Sequence, residues 1–363
     1  MRLERLVPEL EPAYDAFFAR LPASSLFQCL RYRSFLRKML DAGSATPTVE
    51  DHYLVALEGD RVVGAIPAFV KRNTRYGNVV NSLPFVGSNG GVMVDATAVE
   101  YEPTFRFLLK GFHDLCESVD AVSSTIINRP IDPDDVLYDT LAEATAMDER
   151  IGQVTTLPLT PEGATDEAID AAIMLAIHSK TRNVVRKAIV SGVTVRHDGE
   201  LETMRFLSDA HAEGARVIGA PAKPWSVFEA IREHFRYDDD YRVYVAEKDG
   251  ERIGGLLVFF VNRVAEYFTP VTIAEHRIFQ PQSLLCFRAM RDARLRGCTH
   301  WNWGGTAKSQ TGVYDFKSRW GTSDLRYRYF VRERRRSLRA LSPQTLLEEY
   351  PYFFTVPFSV LGT

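Results

Sequence analysis

Apolar and polar positions along the chain follow a pattern that occurs twice, about 190 residues apart. Tyr53-Leu-Val-Ala-Leu-Glu-Gly-Asp-Arg-Val-Val-Gly64-Ala-Ile-Pro-Ala-Phe-Val70 runs parallel to Tyr244-Val-Ala-Glu-Lys-Asp-Gly-Glu-Arg-Ile-Gly254-Gly-Leu-Leu-Val-Phe-Phe-Val261. Each is a β-branched run, a short turn with Gly and Asp, and a second apolar run, which together predict a β-hairpin. Gly64 and Gly254, inside the second strands, mark a bulge or a close backbone approach.

A Gly- or Pro-rich loop and an amphipathic helix follow in both places. Phe105, Leu108, Leu109, Phe112 and Leu115 give the first helix its apolar face, and Leu284, Leu285, Phe287 and Met290 the second. Strands at Val122 to Ile127 and at Thr299 to Trp303 close the two units, the latter after Gly297 stops its helix. The first-half loop, Leu83-Pro-Phe-Val-Gly87-Ser-Asn-Gly90-Gly91, is the longer. A period this long is that of a duplicated domain rather than a solenoid. The expectation is an α/β (α+β) chain of two similar units with mixed, largely antiparallel sheets, at 1–150 and 151–340, and a tail at 341–363. Between 128 and 165 the joint reads as a turn cluster, a short helix through Leu141, a strand near Val154 to Leu159 and a cap region at Thr160-Pro-Glu-Gly, with Thr165 placed to N-cap the helix that follows. From Thr165 one long helix is predicted to Ser191, with Gly192 stopping it. A cleft between the units is the expected place for a ligand.

Composition narrows the class. With 363 residues, 45% hydrophobic and 25% charged, the chain is that of an ordinary folded protein. A net charge of -3 gives no global attraction to polyanions, so an anion site has to be a local patch. Cys29, Cys116, Cys286 and Cys298 form no close pair and read as free thiols of a reducing cytoplasm. No apolar run is long enough to serve as a signal peptide or a spanning helix.

Three stretches carry candidate chemistry. In His178-Ser-Lys180-Thr-Arg182-Asn-Val-Val-Arg186-Lys187, Arg182 and Arg186 are four residues apart on a helix. They read either as cations favoured at a helix C-terminus or as a pair gripping phosphate. The second is Trp301-Asn-Trp303-Gly-Gly-Thr-Ala-Lys308-Ser-Gln-Thr-Gly312-Val-Tyr314-Asp-Phe-Lys317-Ser-Arg-Trp320-Gly321, where a strand enters a glycine-rich turn and aromatics interleave with Lys308 and Lys317. It reads as a site or as a turn followed by a helix that packs its aromatics. Without Walker spacing, ATP hydrolysis is a poor fit. Arg326 to Arg339 is the densest basic run, ahead of the aromatic tail Tyr350 to Phe358. It reads as a solvated surface, or as a dock for an anionic membrane or RNA backbone. The eight histidines show no metal-ligand spacing and no G-x-S-x-G elbow is present, so neither a metal site nor a serine triad is expected. Direct attack by an amine on an acyl group needs a base and oxyanion donors, and Asp315 and Glu266 are the candidate bases.

The order and spacing of Glu247-Lys-Asp-Gly-Glu-Arg-Ile-Gly-Gly-Leu-Leu-Val, Glu266-Tyr267-Phe, Pro281-Gln-Ser-Leu-Leu, Arg296-Gly297, Trp303-Gly-Gly and Gly312-Val-Tyr-Asp-Phe316-Lys317-x-x-Trp320-Gly321 resembles the FemAB family, over about residues 20 to 330. The basic stretch Ser179 to Ala188 resembles the family's pattern just upstream. The resemblance implies tandem domains of the GNAT acetyltransferase fold. It also implies transfer of an acyl group, commonly aminoacyl from aminoacyl-tRNA, to an amine of a cell-envelope, peptidoglycan or polysaccharide precursor. It places Lys317 and Arg182 where phosphates or developing charge are held, and Tyr267 on the strand facing the acyl donor. Asp315 joins Lys317 and Tyr267 as catalytic candidates. Arg182, Arg186, Trp303, Phe316, Gln280 and Ser283 are the substrate-binding candidates.

One departure bears on the donor. An acetyl-CoA-binding GNAT domain offers a glycine turn whose amides cradle pyrophosphate at a helix N-terminus. Here Glu275-His-Arg-Ile-Phe-Gln280-Pro-Gln-Ser283 has no glycine, although Ser283 is placed to cap the helix. The donor is therefore expected to be aminoacyl-tRNA or acyl-CoA with no tightly bound cofactor, simple acetyl-CoA use being disfavoured. The expected location is the cytoplasm, with peripheral contact at the inner membrane face through the basic and aromatic tail. The competing readings are an acetyl-CoA-dependent N-acetyltransferase and a catalytically silent module holding a nucleotide-sugar or polyanion.

Overall fold

The structure is a computed structural model that describes residues 1–21, 24–41, 48–84, 89–131, 134–161, 163–219, 221–306 and 311–362. Gly87 and Lys308 lie outside the described residues. The chain forms two compact units, one of residues 1–150 with 326–363 and one of residues 151–325.

In the first unit, β1 (Arg2–Arg5) is followed by α1 (Glu11–Arg20), α2 (Leu30–Asp41) and β2 (Val49–Asp51). The predicted hairpin is β3 (Leu54–Glu58) and β4 (Arg61–Ile66), with β5 (Phe69–Lys71), β6 (Asn78–Asn81) and β7 (Met93–Val94) after it. The crossing helix is α3 (Tyr101–Ser118), the closing strand β8 (Ala121–Ile127), and α4 (Asp135–Leu141) leads to the exit. β1, β3, β4 and β7 form one antiparallel sheet. In the other, β2 pairs β5 and β5 pairs β6 antiparallel, while β6 and β8 run parallel. The core lies between α3 and these strands, where Phe105, Leu108, Leu109 and Phe112 are buried as their spacing predicted.

β9 (Ala146–Thr156) carries the chain into the second unit, which continues with α5 (Asp166–Ala176), α6 (Ser179–Val190), β10 (Thr194–Asp198), α7 (Leu201–Ile218) and α8 (Trp225–His234). The second hairpin is β11 (Tyr241–Lys248) and β12 (Glu251–Val261), extended by β13 (Val264–Thr272). α9 (Pro281–Leu295) crosses to β14 (His300–Thr306), and α10 (Thr311–Ser318) follows. β10 to β13 pair antiparallel in sequence order, β13 and β14 run parallel, and β14 pairs antiparallel with β9. Hairpin, crossing helix and closing strand thus occur in the same order in both units, each around one parallel pair. At both marked glycines the hairpin register shifts, between Ala56 and Leu57 and between Ala246 and Glu247. A Cβ on Gly64 would stand 2.8 Å from Leu108 Cδ1, so the glycine lets α3 settle on the strand.

β15 (Thr322–Glu333) returns the chain to the first unit and pairs with β8, Tyr329 opposite Ile127, and α11 (Pro343–Glu349) precedes the tail. The second unit therefore closes at 325, not 340, and both the basic run and the tail belong to the first. The reason is local. Arg328, Arg332, Arg335 and Arg339 pair with Asp139, Glu143, Asp120 and Glu333, and Arg334 donates to the Cys116 carbonyl. The Asn81 amide brackets the backbone of Phe354 with two hydrogen bonds of 2.8 Å, and Ser123 donates to the Thr355 carbonyl. Phe353 and Val356 are buried. Most of the basic and aromatic groups that a membrane dock requires are engaged in packing this unit. Among the described residues no helix is long and apolar enough to cross a membrane.

The single helix predicted from Thr165 to Ser191 is two. Thr165 caps α5 by accepting from the Ala168 amide, but Ile177 turns extended and the His178 ring accepts from the Lys180 amide to start α6. Arg182 stabilises the break, donating to the carbonyls of Met174 at 3.1 Å and Ile177 at 2.8 Å, which the end of α5 leaves without helical partners. Arg182→Ala is expected to cost about 1.5–3 kcal/mol in urea denaturation, the range for hydrogen bonds that involve a charged group. An unchanged midpoint would remove this role from Arg182.

Candidate functional site

β13 and β14 pair over only three positions, from Val264 and His300 to Glu266 and Asn302. Beyond them, β13 shifts register against β12 so that Phe268 is passed over, Val258 facing Tyr267 and Leu257 facing Thr269. Where the strands part, a cavity of about 1080 Å³ opens, and the described residues that line it all belong to the second unit. Tyr267, Phe268 and Pro270 come from β13, Trp303 from β14, His211 and Ile218 from α7, and Gln282 and Ser283 from α9. Lys180 and Thr181 of α6, and Phe316 and Lys317 of α10, complete much of the wall.

Aromatic rings build one side. Trp303 sits 5.0 Å from Tyr267, 5.7 Å from Trp320 and 6.0 Å from Phe316, centroid to centroid. The Trp303 indole donates to Thr155 at 3.0 Å, and Gln282 donates to the Tyr267 hydroxyl at 3.3 Å. Burial pushes the Tyr267 hydroxyl well above its ordinary pKa, so it stays protonated. Gly321 adopts φ +68°, and a Cβ there would lie 2.8 Å from the Ala176 carbonyl oxygen. Glycine thus lets the Trp320-Gly321 turn close against the end of α5.

Among the described residues, five cations and no carboxylate line the cavity: Lys180, Lys223, Arg277, Lys317 and Arg319. The overall charge of the chain conceals this local excess.

Lys317 is at the cavity, but it is a buried group held by the protein's own oxygens. It is 5% exposed, and its ammonium donates to the Trp303 carbonyl at 2.8 Å, to Thr306 Oγ1 at 3.0 Å and to the Gly305 carbonyl at 3.4 Å. Thr306 in turn donates to Gln153 at 3.1 Å. The lysine thereby ties α10 to the end of β14, and burial lowers its pKa to about 8. Lys317→Ala is expected to cost about 2–4 kcal/mol in stability, because it leaves buried acceptors unpaired and opens a void. Thermal and chemical denaturation at pH 7 check this; native-like stability would return Lys317 to the class of free ligand-binding charges.

The other candidates separate. Tyr267, Trp303, Phe316, Gln280 and Ser283 line the cavity with Lys317. Asp315 and Arg186 are exposed and are not among the lining residues. Arg182, occupied with α5, is absent from the lining as well. Lys180, Thr181 and Val184 are the α6 residues that face the cavity, a face of the basic helix different from the one the arginines mark. Ser283 does not cap α9; the N-cap is Gln280, at φ +60°, and Ser283 donates its amide back to the Gln280 carbonyl. Glu266 is 3% exposed and does not line the cavity, and burial raises its carboxyl to about 8, offset in part by a hydrogen bond from Asn302. Sequence reasoning missed Lys223, Arg277 and Arg319, which stand in a loop, a 3₁₀ turn and a helix end without a pattern of their own, and His211 on α7.

The α9 terminus is poor in free amides. Pro281, its first residue, has no N–H, and the Ser283 amide is already used.

A helix crossing between parallel strands that part over a cavity is the core arrangement of the GNAT fold, and residues 178–318 match the family model described as an acetyltransferase (GNAT) domain. The chain thus carries a GNAT acyltransferase domain at 178–318 within a tandem GNAT-like fold. Over its whole length the chain is similar in structure to FemX, with a TM-score of 0.72 at 15% identity, covering 96% of this chain and 100% of that one. It is also similar to the C-terminal domain (DUF2156) of a putative lysylphosphatidylglycerol synthetase from Agrobacterium fabrum, with a TM-score of 0.56, 13% identity and coverage of 93% and 96%. L-PGS from Bacillus licheniformis gives a TM-score of 0.54 at 10% identity, covering 99% of this chain and 98% of that one. No curated protein matches the chain by sequence. The FemAB resemblance is thus carried by the fold of the whole chain.

Proposed function

We propose that the chain transfers an aminoacyl group from a charged tRNA to an amine of a cell-envelope or polysaccharide precursor, with the second-unit cavity as the donor site. The observation that carries this reading is the cavity itself: among the described residues, five cations without a carboxylate, beside a cluster of aromatic rings. Phosphates and stacked bases are the chemistry such walls favour. The α9 terminus argues against a pyrophosphate cradle of the acetyl-CoA type, since Pro281 and the bonded Ser283 amide leave little to build it from. Similarity to FemX and to the lysylphosphatidylglycerol synthetases supports the envelope context.

The reaction asks for alignment more than for a covalent intermediate. The amine attacks the ester carbonyl, a carbon–nitrogen bond forms, the ester bond to the ribose oxygen breaks, and the proton of the amine leaves to solvent or to that oxygen. Tyr267, at the parting strands, and Lys317, which fixes the end of β14, set the geometry around the acyl group. The test is incubation of the purified protein with isotopically labelled aminoacyl-tRNA or acetyl-CoA and a panel of amine-bearing muropeptides and amino sugars, followed by mass spectrometry. An aminoacyl adduct supports the proposal; an acetyl adduct alone replaces it with N-acetyltransfer.

A further inference from the structure

The five cavity cations are not equivalent. Lys180, Arg277 and Arg319 are exposed, so water satisfies and screens them. Lys317 is buried, but its three N–H groups have three acceptors. Lys223, between α7 and α8, differs from all four. It is half-buried, it lines the cavity, and its ammonium has one long hydrogen bond, 3.4 Å to the Phe268 carbonyl. The Phe268 ring lies 4.9 Å from the same nitrogen. Among the described residues no carboxylate pairs with it. His211 fixes the start of this side chain by accepting the Lys223 amide at 3.1 Å, and as burial and the adjacent lysine lower its pKa to about 4, it adds no charge of its own.

An ammonium taken partly out of water with a single long hydrogen bond from the protein is costly to fold around, and the desolvation lowers the Lys223 pKa to about 8. An anion seated in the cavity offsets that cost. The location is specific: Phe268 is the residue passed over in the β12–β13 register, beside the place where β14 leaves β13.

We propose that Lys223 is a substrate-binding residue that determines specificity for anions, its ammonium taking a phosphate oxygen of the bound donor at the wall formed by α7 and β13. The inference rests on the donor-site reading of the cavity and adds to it the residue that meets the phosphate. It shifts the binding role from the lysine of the Phe-Lys motif to one that no motif marks.

The test uses the full chain with inorganic pyrophosphate as probe, titrated by calorimetry into the parent, Lys223→Met, Lys223→Arg and Lys223→Gln. The expected result is at least tenfold weaker binding in Lys223→Met, substantial recovery in Lys223→Arg, and a melting temperature of Lys223→Met at or above that of the parent. Equal affinity in the parent and Lys223→Met overturns the proposal, as does failure of the parent to bind pyrophosphate. If Lys223→Met does not fold, Lys223→Gln decides: at least tenfold weaker binding in folded Lys223→Gln supports the proposal, and near-parental affinity overturns it. Acyl transfer by the parent is measured separately. Transfer without Lys223-dependent binding sinks this inference and leaves the proposed function standing; Lys223-dependent binding without transfer does the reverse.

Discussion

Glu266→Gln is expected to stabilise the protein by several kcal/mol at pH 8.5 and to leave it nearly unchanged at pH 4. The carboxyl is enclosed on β13, its Oε1 has no hydrogen-bond partner, and burial raises its pKa from 4.5 to about 8. A group whose pKa is higher in the folded state holds its proton there while the unfolded chain has lost it. Its stabilising contribution is complete below pH 4.5 and is lost as pH rises through 8. Three and a half pH units at about 1.4 kcal/mol each set an upper bound of roughly 5 kcal/mol. Glutamine has the shape of the protonated acid and no charge to desolvate. Urea denaturation across pH 4 to 9 provides the check, and parallel curves for parent and variant would show that Glu266 does not titrate in this range.

Reversing two of the exposed cavity cations together, Lys180→Glu with Arg319→Glu, is expected to weaken binding of charged tRNA by about a hundredfold or more at low salt while leaving the fold intact. Neither side chain makes an ion pair among the described residues, so little native structure depends on their charge. Phosphate contacts release counterions, and the slope of log affinity against log salt should fall by about one for each contact removed. Binding curves at several salt concentrations test this. A parent and variant with the same slope would place the polyanion elsewhere.

The repeat was legible because hairpins and crossing helices impose short-range periodicity, and both copies kept it. Glycine at 64 and at 254 was informative since a helix packs directly over each strand. What escaped was set by tertiary hydrogen bonds. Nothing in the apolar spacing from Ile169 to Val185 discloses that the chain breaks at Ile177, because the break depends on Arg182 reaching back to two carbonyls. The same holds for β15, whose return to pair with β8 transfers the basic run to the first unit.

At the site, residues of the strand and of the Phe316-Lys317 helix were recognisable from the motif, as their aromatics must pack together. Lys317 was identified by type and spacing, yet its environment depends on Trp303, Gly305 and Thr306 offering oxygens at one point. Lys223 and Arg277 lie in connecting segments whose sequence has no period, so only the folded chain brings them to the cavity.

The most direct measurement is a pair of dissociation constants, for acetyl-CoA and for aminoacyl-tRNA, determined on the same purified protein in the same buffer. With the amides of the α9 terminus largely removed or bonded, acetyl-CoA is expected to bind more weakly than about 1 mM, a free energy near -4 kcal/mol, and charged tRNA in the micromolar range. Micromolar acetyl-CoA binding with turnover, and no measurable affinity for charged tRNA, would contradict the donor assignment.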